Sequence, residues 1–96
     1  MPELRVEISA RFKSEAEKLL GSNHEYFVAS LEWVLRRRAE MGQRLRGSEQ
    51  RIWPYYPDDG HVYLTYYSIA DGQVRLNSLV KKATPISPKL LDLADD

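Results

Sequence analysis

The side chains able to move protons or meet phosphates are few in this sequence, and their spacing decides what they can do together. Glu49 and Arg51 stand two apart at the head of an extended stretch, so a strand turns both to one face. There they can form an acid–base pair or, as the simpler reading, a structural ion pair. Lys81 and Lys82 are neighbours, and a strand sends them to opposite faces, so at most one can line a given surface. His24 and His61 have no second histidine near them, and the chain has no cysteine, which excludes disulfides, thiolate zinc sites and a thiol nucleophile. No glycine-rich phosphate loop or nucleophile elbow is present. The expectation is a chain without metal or cofactor.

Charge distribution is more telling than total charge. Fourteen basic and fourteen acidic residues cancel, yet Arg36, Arg37, Arg38, Arg44, Arg46 and Arg51 lie close together against only Glu40 and Glu49, while Asp92, Asp95 and Asp96 gather at the end. A locally basic surface on a neutral chain permits phosphate contact, although a solvated helix face is the plainer reading. The 96 residues (11.2 kDa) are 43% hydrophobic and 29% charged, which suits one domain over 1–96. A chain of this mass hides roughly 65% of its unfolded surface, enough for one core. No apolar run approaches the ~20 residues of a membrane span, and the first residues contain no signal-peptide hydrophobic region. A cytoplasmic protein is expected.

The elements that must position these residues follow from periodicity. Leu4, Val6 and Ile8 alternate with Arg5 and Glu7, predicting a strand. Phe12, Ala16, Leu19 and Leu20 have helical spacing, with a capping box from Ser14 to Glu17 and Gly21 as the stop. Ser22 to Glu25 reads as a second capping box opening a longer helix, whose stripe runs through Phe27, Leu31, Val34, Leu35, Met41 and Leu45 to a stop at Gly47, with Gly42 weakening its last turns. Three antiparallel strands are then predicted over roughly 50–56, 61–69 and 73–82, separated by turns at 57–60 and at Asp71-Gly72. Pro54 places the first of them at an edge or a bulge. Ser87 and Pro88 open a short terminal helix through Leu93. The prediction is an α+β fold of order β-α-α-β-β-β, with helices on one face of a small, mainly antiparallel sheet, plus a short C-terminal helix.

Counting outward from Asp71-Gly72 pairs Ile69 with Val74, Tyr67 with Leu76 and Tyr63 with Val80 on an apolar face for the helices. The other face pairs Ser68 with Arg75, Tyr66 with Asn77, Leu64 with Leu79 and Val62 with Lys81. If Tyr56 opposes His61, then Arg51, Trp53 and Tyr55 join that second face. The expected surface of Arg51, Trp53, Tyr55, Tyr66, Arg75, Asn77 and Lys81 suits single-stranded nucleic acid, with cations on phosphates and rings on bases. The competing expectation is cover by protein: by the terminal helix through Ile86, Leu90, Leu91 and Leu93, or by a second chain in a homodimer.

Three stretches resemble the RelE/ParE superfamily of bacterial toxins, in particular its HigB-like (phage Gp49-like) branch. Leu45 to Ile52 is similar to the family's passage from helix end into strand, with Gly47 ahead of Glu49-Gln50-Arg51. Tyr63 to Gly72 resembles its central strand and Asp-Gly turn, with Leu64 where the family pattern has arginine. Val74 to Pro85, followed by Leu90 to Ala94, resembles its last strand, Lys-Lys pair and proline-led tail. The resemblance implies a RelE-like fold and the toxin component of a type II toxin–antitoxin system. Its activity would be ribosome-dependent cleavage of mRNA, inhibiting translation, with an antitoxin of helix-turn-helix type as partner. By matched position, Glu49, Arg51, Tyr67, Lys81 and Lys82 would activate the ribose hydroxyl, stabilise charge and protonate the leaving oxygen. Tyr67 also falls on the face read as buried, which favours a core role for it. The alternative is a non-catalytic relative acting by protein contact, either a gyrase-directed toxin or an inactive form. The leucine at 64 and the lack of histidine or tyrosine after Lys82 favour that alternative.

Overall fold

The computed structural model describes residues 4–57 and 59–83. Strand β1 (Arg5–Ile8) leads into helix α1 (Ala10–Leu20), a 3-10 turn (Gly21–Asn23) and helix α2 (His24–Arg38). A second 3-10 turn (Ala39–Met41) and the short strand β2 (Gln43–Arg44) precede the meander of β3 (Gln50–Tyr55), β4 (His61–Ala70) and β5 (Gln73–Ala83). The sheet order is β1-β5-β4-β3-β2, with β1 parallel to β5 and the other pairs antiparallel. The α+β class is therefore observed, and the predicted elements occur in the predicted order with one extra short strand, β2, between α2 and the meander. The predicted terminal helix lies outside the described residues.

Both helices cover one face of the sheet. Phe12 and Ala16 of α1 and Phe27, Leu31 and Leu35 of α2 pack on Tyr63, Tyr67, Val74, Leu76 and Leu79, flanked by Val6 and Ile8 of β1. Full burial of one such aliphatic or aromatic side chain contributes ~1.5–3 kcal/mol, so this layer dominates the stability. Ile52, Val62 and Leu64 form a smaller buried cluster with Leu45 and Tyr66 on the opposite face.

The helix starts differ from expectation. Ser9, not Ser14, caps α1: its hydroxyl accepts from the Phe12 amide at 3.0 Å and donates to the Asn77 carbonyl at 3.1 Å. The same side chain thus satisfies a helix end and a strand, which local sequence cannot show. No side chain caps α2 at Asn23, because the preceding 3-10 turn already runs into it. Gly21 ends α1 as expected, with φ +57° and its amide bonded to the Glu17 carbonyl.

Helix α2 stops nine residues before the predicted Gly47, at Arg38. Its main chain instead finds tertiary partners: Tyr67 bonds the Ala39 carbonyl and the Gly42 amide, and Arg51 bonds the Glu40 and Gly42 carbonyls. These contacts hold Gly42 extended, so Met41 is left 55% exposed, and Leu45 crosses to the second face. Two residues of this segment pair with β3 as the extra strand β2.

Strand register carries the largest correction. The Asp71-Gly72 turn forms as predicted, both residues at positive φ (53° and 75°), and Tyr67, Ser68 and Ile69 pair with Leu76, Arg75 and Val74. Beyond Tyr67 a β-bulge at Asn77 shifts the ladder, so Tyr66 meets Ser78, Tyr63 meets Lys81 and Val62 meets Lys82. The bulge is held by α1, where Ser9 bonds the Asn77 carbonyl and Glu15 accepts the Leu79 amide at 3.0 Å. In β3 the register differs by one from expectation: Arg51, Trp53 and Tyr55 oppose Tyr67, Thr65 and Tyr63. A one-residue slip exchanges faces, and Pro54 lies beyond the reach of β2, on the open edge.

Candidate functional site

The predicted nucleic-acid surface is divided by the sheet. Arg51, Trp53, Tyr55 and Lys81 share the helix-covered face with Tyr63 and Tyr67, whereas Tyr66, Arg75 and Asn77 lie on the other. On that second face Arg75 pairs with Glu7 at 3.0 Å, and Asn77 donates to Gln50 and Ser68, each at 3.3 Å. Its centre is the apolar cluster of Ile52, Val62 and Leu64. Rings and cations are therefore not interleaved on one open surface, because both the bulge and the β3 register reverse the faces.

Of the residues at family-matched positions, Arg51 and Tyr67 oppose each other and meet at the Gly42 main chain, while Glu49 and Lys82 do not join them. Tyr67 is 0% exposed, donating to the Ala39 carbonyl at 2.6 Å and accepting from the Gly42 amide at 2.9 Å. Burial raises its pKa above the ordinary 10.0, opposed by the Gly42 bond and the Arg51 charge. Arg51 bonds the Glu40 carbonyl at 3.1 Å and the Gly42 carbonyl at 2.9 Å, closing the turn that ends α2. Glu49 does not join it: its side chain, 86% exposed, lies 3.5 Å from Arg44. Lys81 and Lys82 are both exposed and, as predicted, face opposite ways.

A different group converges at the far end of the sheet. Between α1, α2 and the ends of β3, β4 and β5 lies a cleft of about 540 Å³ lined by Tyr26, Tyr55, Asp59, Tyr63 and Lys81. The rings of Phe27, Tyr55 and Tyr63 run along its floor, with centroids 5.0 and 6.2 Å apart, and the Lys81 ammonium lies 5.9 Å from the Tyr63 ring. The Tyr63 hydroxyl donates to Asp59 at 3.0 Å. Burial, then this bond and the adjacent carboxylate charge, push the Tyr63 pKa up from 10.0. For Asp59, desolvation acts upward, but Tyr63, the His61 amide and the His61 ring outweigh it and hold the carboxyl below 3.8. Of these residues the sequence reading named only Tyr55 and Lys81 as nucleic-acid contacts. The expected register pairs Lys81 with Val62, and the bulge that aligns Lys81 with Tyr63 instead has no local sequence signal.

No family model, curated protein or solved structure matches the chain. Its own surfaces must carry the functional argument. Among the described residues no group of histidine and carboxylate side chains is placed to hold a metal, and no helix is long and apolar enough to cross a membrane.

The other exposed feature is on α2. Tyr26 and Trp33 are 77% and 60% exposed and stand two helical turns apart on one face. Arg37 extends this ridge, its guanidinium 4.4 Å from the Trp33 ring and bonded to the Trp33 carbonyl at 2.9 Å. Beside the ridge, Ser30, Val34, Trp53 and Tyr55 border a smaller groove of about 170 Å³ against the open edge of β3. Large rings on a fixed helix, next to guanidinium groups, have the composition of protein-contact surfaces.

Proposed function

We propose that this chain is a RelE/ParE-like protein that acts by contact with another protein, as a gyrase-directed toxin or a relative without nuclease activity, and that an antitoxin is its partner in the bacterial cytoplasm. The observation that carries this reading is that Arg51 and Tyr67 are both committed to the Ala39–Gly42 main chain, while Glu49 faces Arg44 and Lys81 and Lys82 point to opposite faces. Metal-independent RNA cleavage needs a base, a charge stabiliser and an acid around one phosphate. Here Tyr67 is interior, Arg51 closes a turn, Glu49 is on the surface and the lysines point apart. The element order and the Asp71-Gly72 turn support the family resemblance, and the Tyr26–Trp33 ridge supports protein contact.

Induction of the chain in bacteria tests the reading, with growth and transcript integrity followed together. Intact transcripts are expected, with growth arrest for a protein-directed toxin, lost in Trp33→Ala while the fold is retained by circular dichroism, and with no arrest for an inactive relative. Transcripts cut on induction, with cutting lost in Arg51→Ala or Lys81→Ala, would overturn it in favour of the ribosome-dependent mRNA endoribonuclease.

A further inference from the structure

The cleft at the end of the sheet brings rings, a carboxylate and an ammonium together. Its volume of about 540 Å³ falls in the range of small-molecule sites, roughly 300–1,000 Å³, and polar groups converge on it. Tyr55, half-buried and backed by the buried rings of Phe27 and Tyr63, offers the accessible ring face of the floor, and Tyr26 stands exposed at the rim. Next to that floor the Asp59 carboxylate is held ionised. Its oxygens accept from the Tyr63 hydroxyl and the His61 amide, each at 3.0 Å, and the second lone pairs of those oxygens remain for hydroxyl donors. Lys81 is exposed, above the last ring, and makes no ion pair among the described residues.

An aromatic floor, then a hydroxyl acceptor, then a cation is the order base, ribose, phosphate. We propose that this cleft binds a ribonucleotide. The base lies on Tyr55 under Tyr26, the ribose diol donates to Asp59, and the phosphate meets Lys81. Stacking on tyrosine is tolerant of base identity, whereas a carboxylate acceptor for the 2′-hydroxyl favours ribose over deoxyribose. The ligand is either a free nucleotide or one unit of an RNA strand, the chemistry being the same. The cleft shares Tyr26 with the exposed ridge of α2, but Asp59, Tyr63 and Lys81 lie outside that ridge, so substitutions at Asp59 and Lys81 test this inference separately from the protein-contact reading.

The test is titration of the full chain with AMP, 2′-deoxy-AMP, adenosine, inorganic phosphate and a short oligoadenylate, followed by amide chemical shifts. Saturable shifts by AMP at Tyr26, Tyr55, Tyr63 and Lys81 are expected, with adenosine and 2′-deoxy-AMP each weaker by about tenfold. Lys81→Met should weaken AMP to the level of adenosine, and Asp59→Asn should remove the preference for ribose. Both substitutions are at exposed positions, and unchanged amide spectra elsewhere confirm the fold. Equal affinity for AMP and oligoadenylate assigns a free nucleotide, and tighter binding of the oligomer assigns a strand. No saturable shift with either, or equal shifts with phosphate alone, would overturn the proposal.

Discussion

The Tyr67 hydroxyl occupies the space beside Gly42 that a Cβ there would need, and it accepts the Gly42 amide proton at 2.9 Å. One tyrosine in the middle of the sheet thus determines where α2 ends, because its hydroxyl also binds the Ala39 carbonyl. Tyr67→Phe leaves two buried main-chain groups without this partner and should cost about 1–3 kcal/mol. Gly42→Ala should be destabilising by clash alone, and less so in the Tyr67→Phe background, where the hydroxyl is gone. Urea denaturation of the two single variants and the double variant checks this coupling.

Arg51 is a structural residue in this account. Arg51→Ala should lower stability by about 1–3 kcal/mol through loss of the charge-assisted bonds to the Glu40 and Gly42 carbonyls. The amide signals of 39–44 should shift most. A variant that keeps full stability would show that these bonds are not what holds the turn.

Thr65 lies on the helix-covered face, fully buried, and its hydroxyl has no hydrogen-bond partner among the described residues. Burying such a group unpaired is costly, and valine has nearly the same shape. Thr65→Val should therefore raise stability by about 1 kcal/mol, measured as an increased urea midpoint with unchanged slope.

Stability should fall at both extremes of pH, for different reasons. The Asp59 carboxyl titrates below 3.8 when folded, so its contribution is present above that value and is lost as pH falls through the folded pKa. Tyr63 and Tyr67 titrate above 10.0 when folded, so theirs is complete below 10.0 and is lost as pH rises through their folded values. Asp59→Asn should reduce the acid-side loss and Tyr67→Phe the alkaline-side loss, both read from urea midpoints across pH.

The strands and turns were legible because their signals are local: alternation in Leu4–Ile8, and the left-handed turn that Asp71-Gly72 favours. What escaped depends on contacts distant in the chain. Ser9 and Glu15 support a bulge some sixty residues away, at Asn77 to Leu79, and that bulge moves Lys81 from one face to the other. Likewise the break in α2 comes from Tyr67 and Arg51, although Gly42 was recognisable as a weak point. The candidate cleft was half visible, since Tyr55 and Lys81 stood out by residue type but Asp59 and Tyr26 did not.

The separation of Arg51, Trp53 and Tyr55 from Tyr66, Arg75 and Asn77 rests on how β3 lies against β4. Cross-strand nuclear Overhauser contacts in the full chain measure this directly. The structure predicts contacts pairing Arg51 with Tyr67 and Trp53 with Thr65. Contacts pairing Arg51 with Tyr66 and Trp53 with Leu64 would contradict it and return these side chains to the face of Tyr66, Arg75 and Asn77.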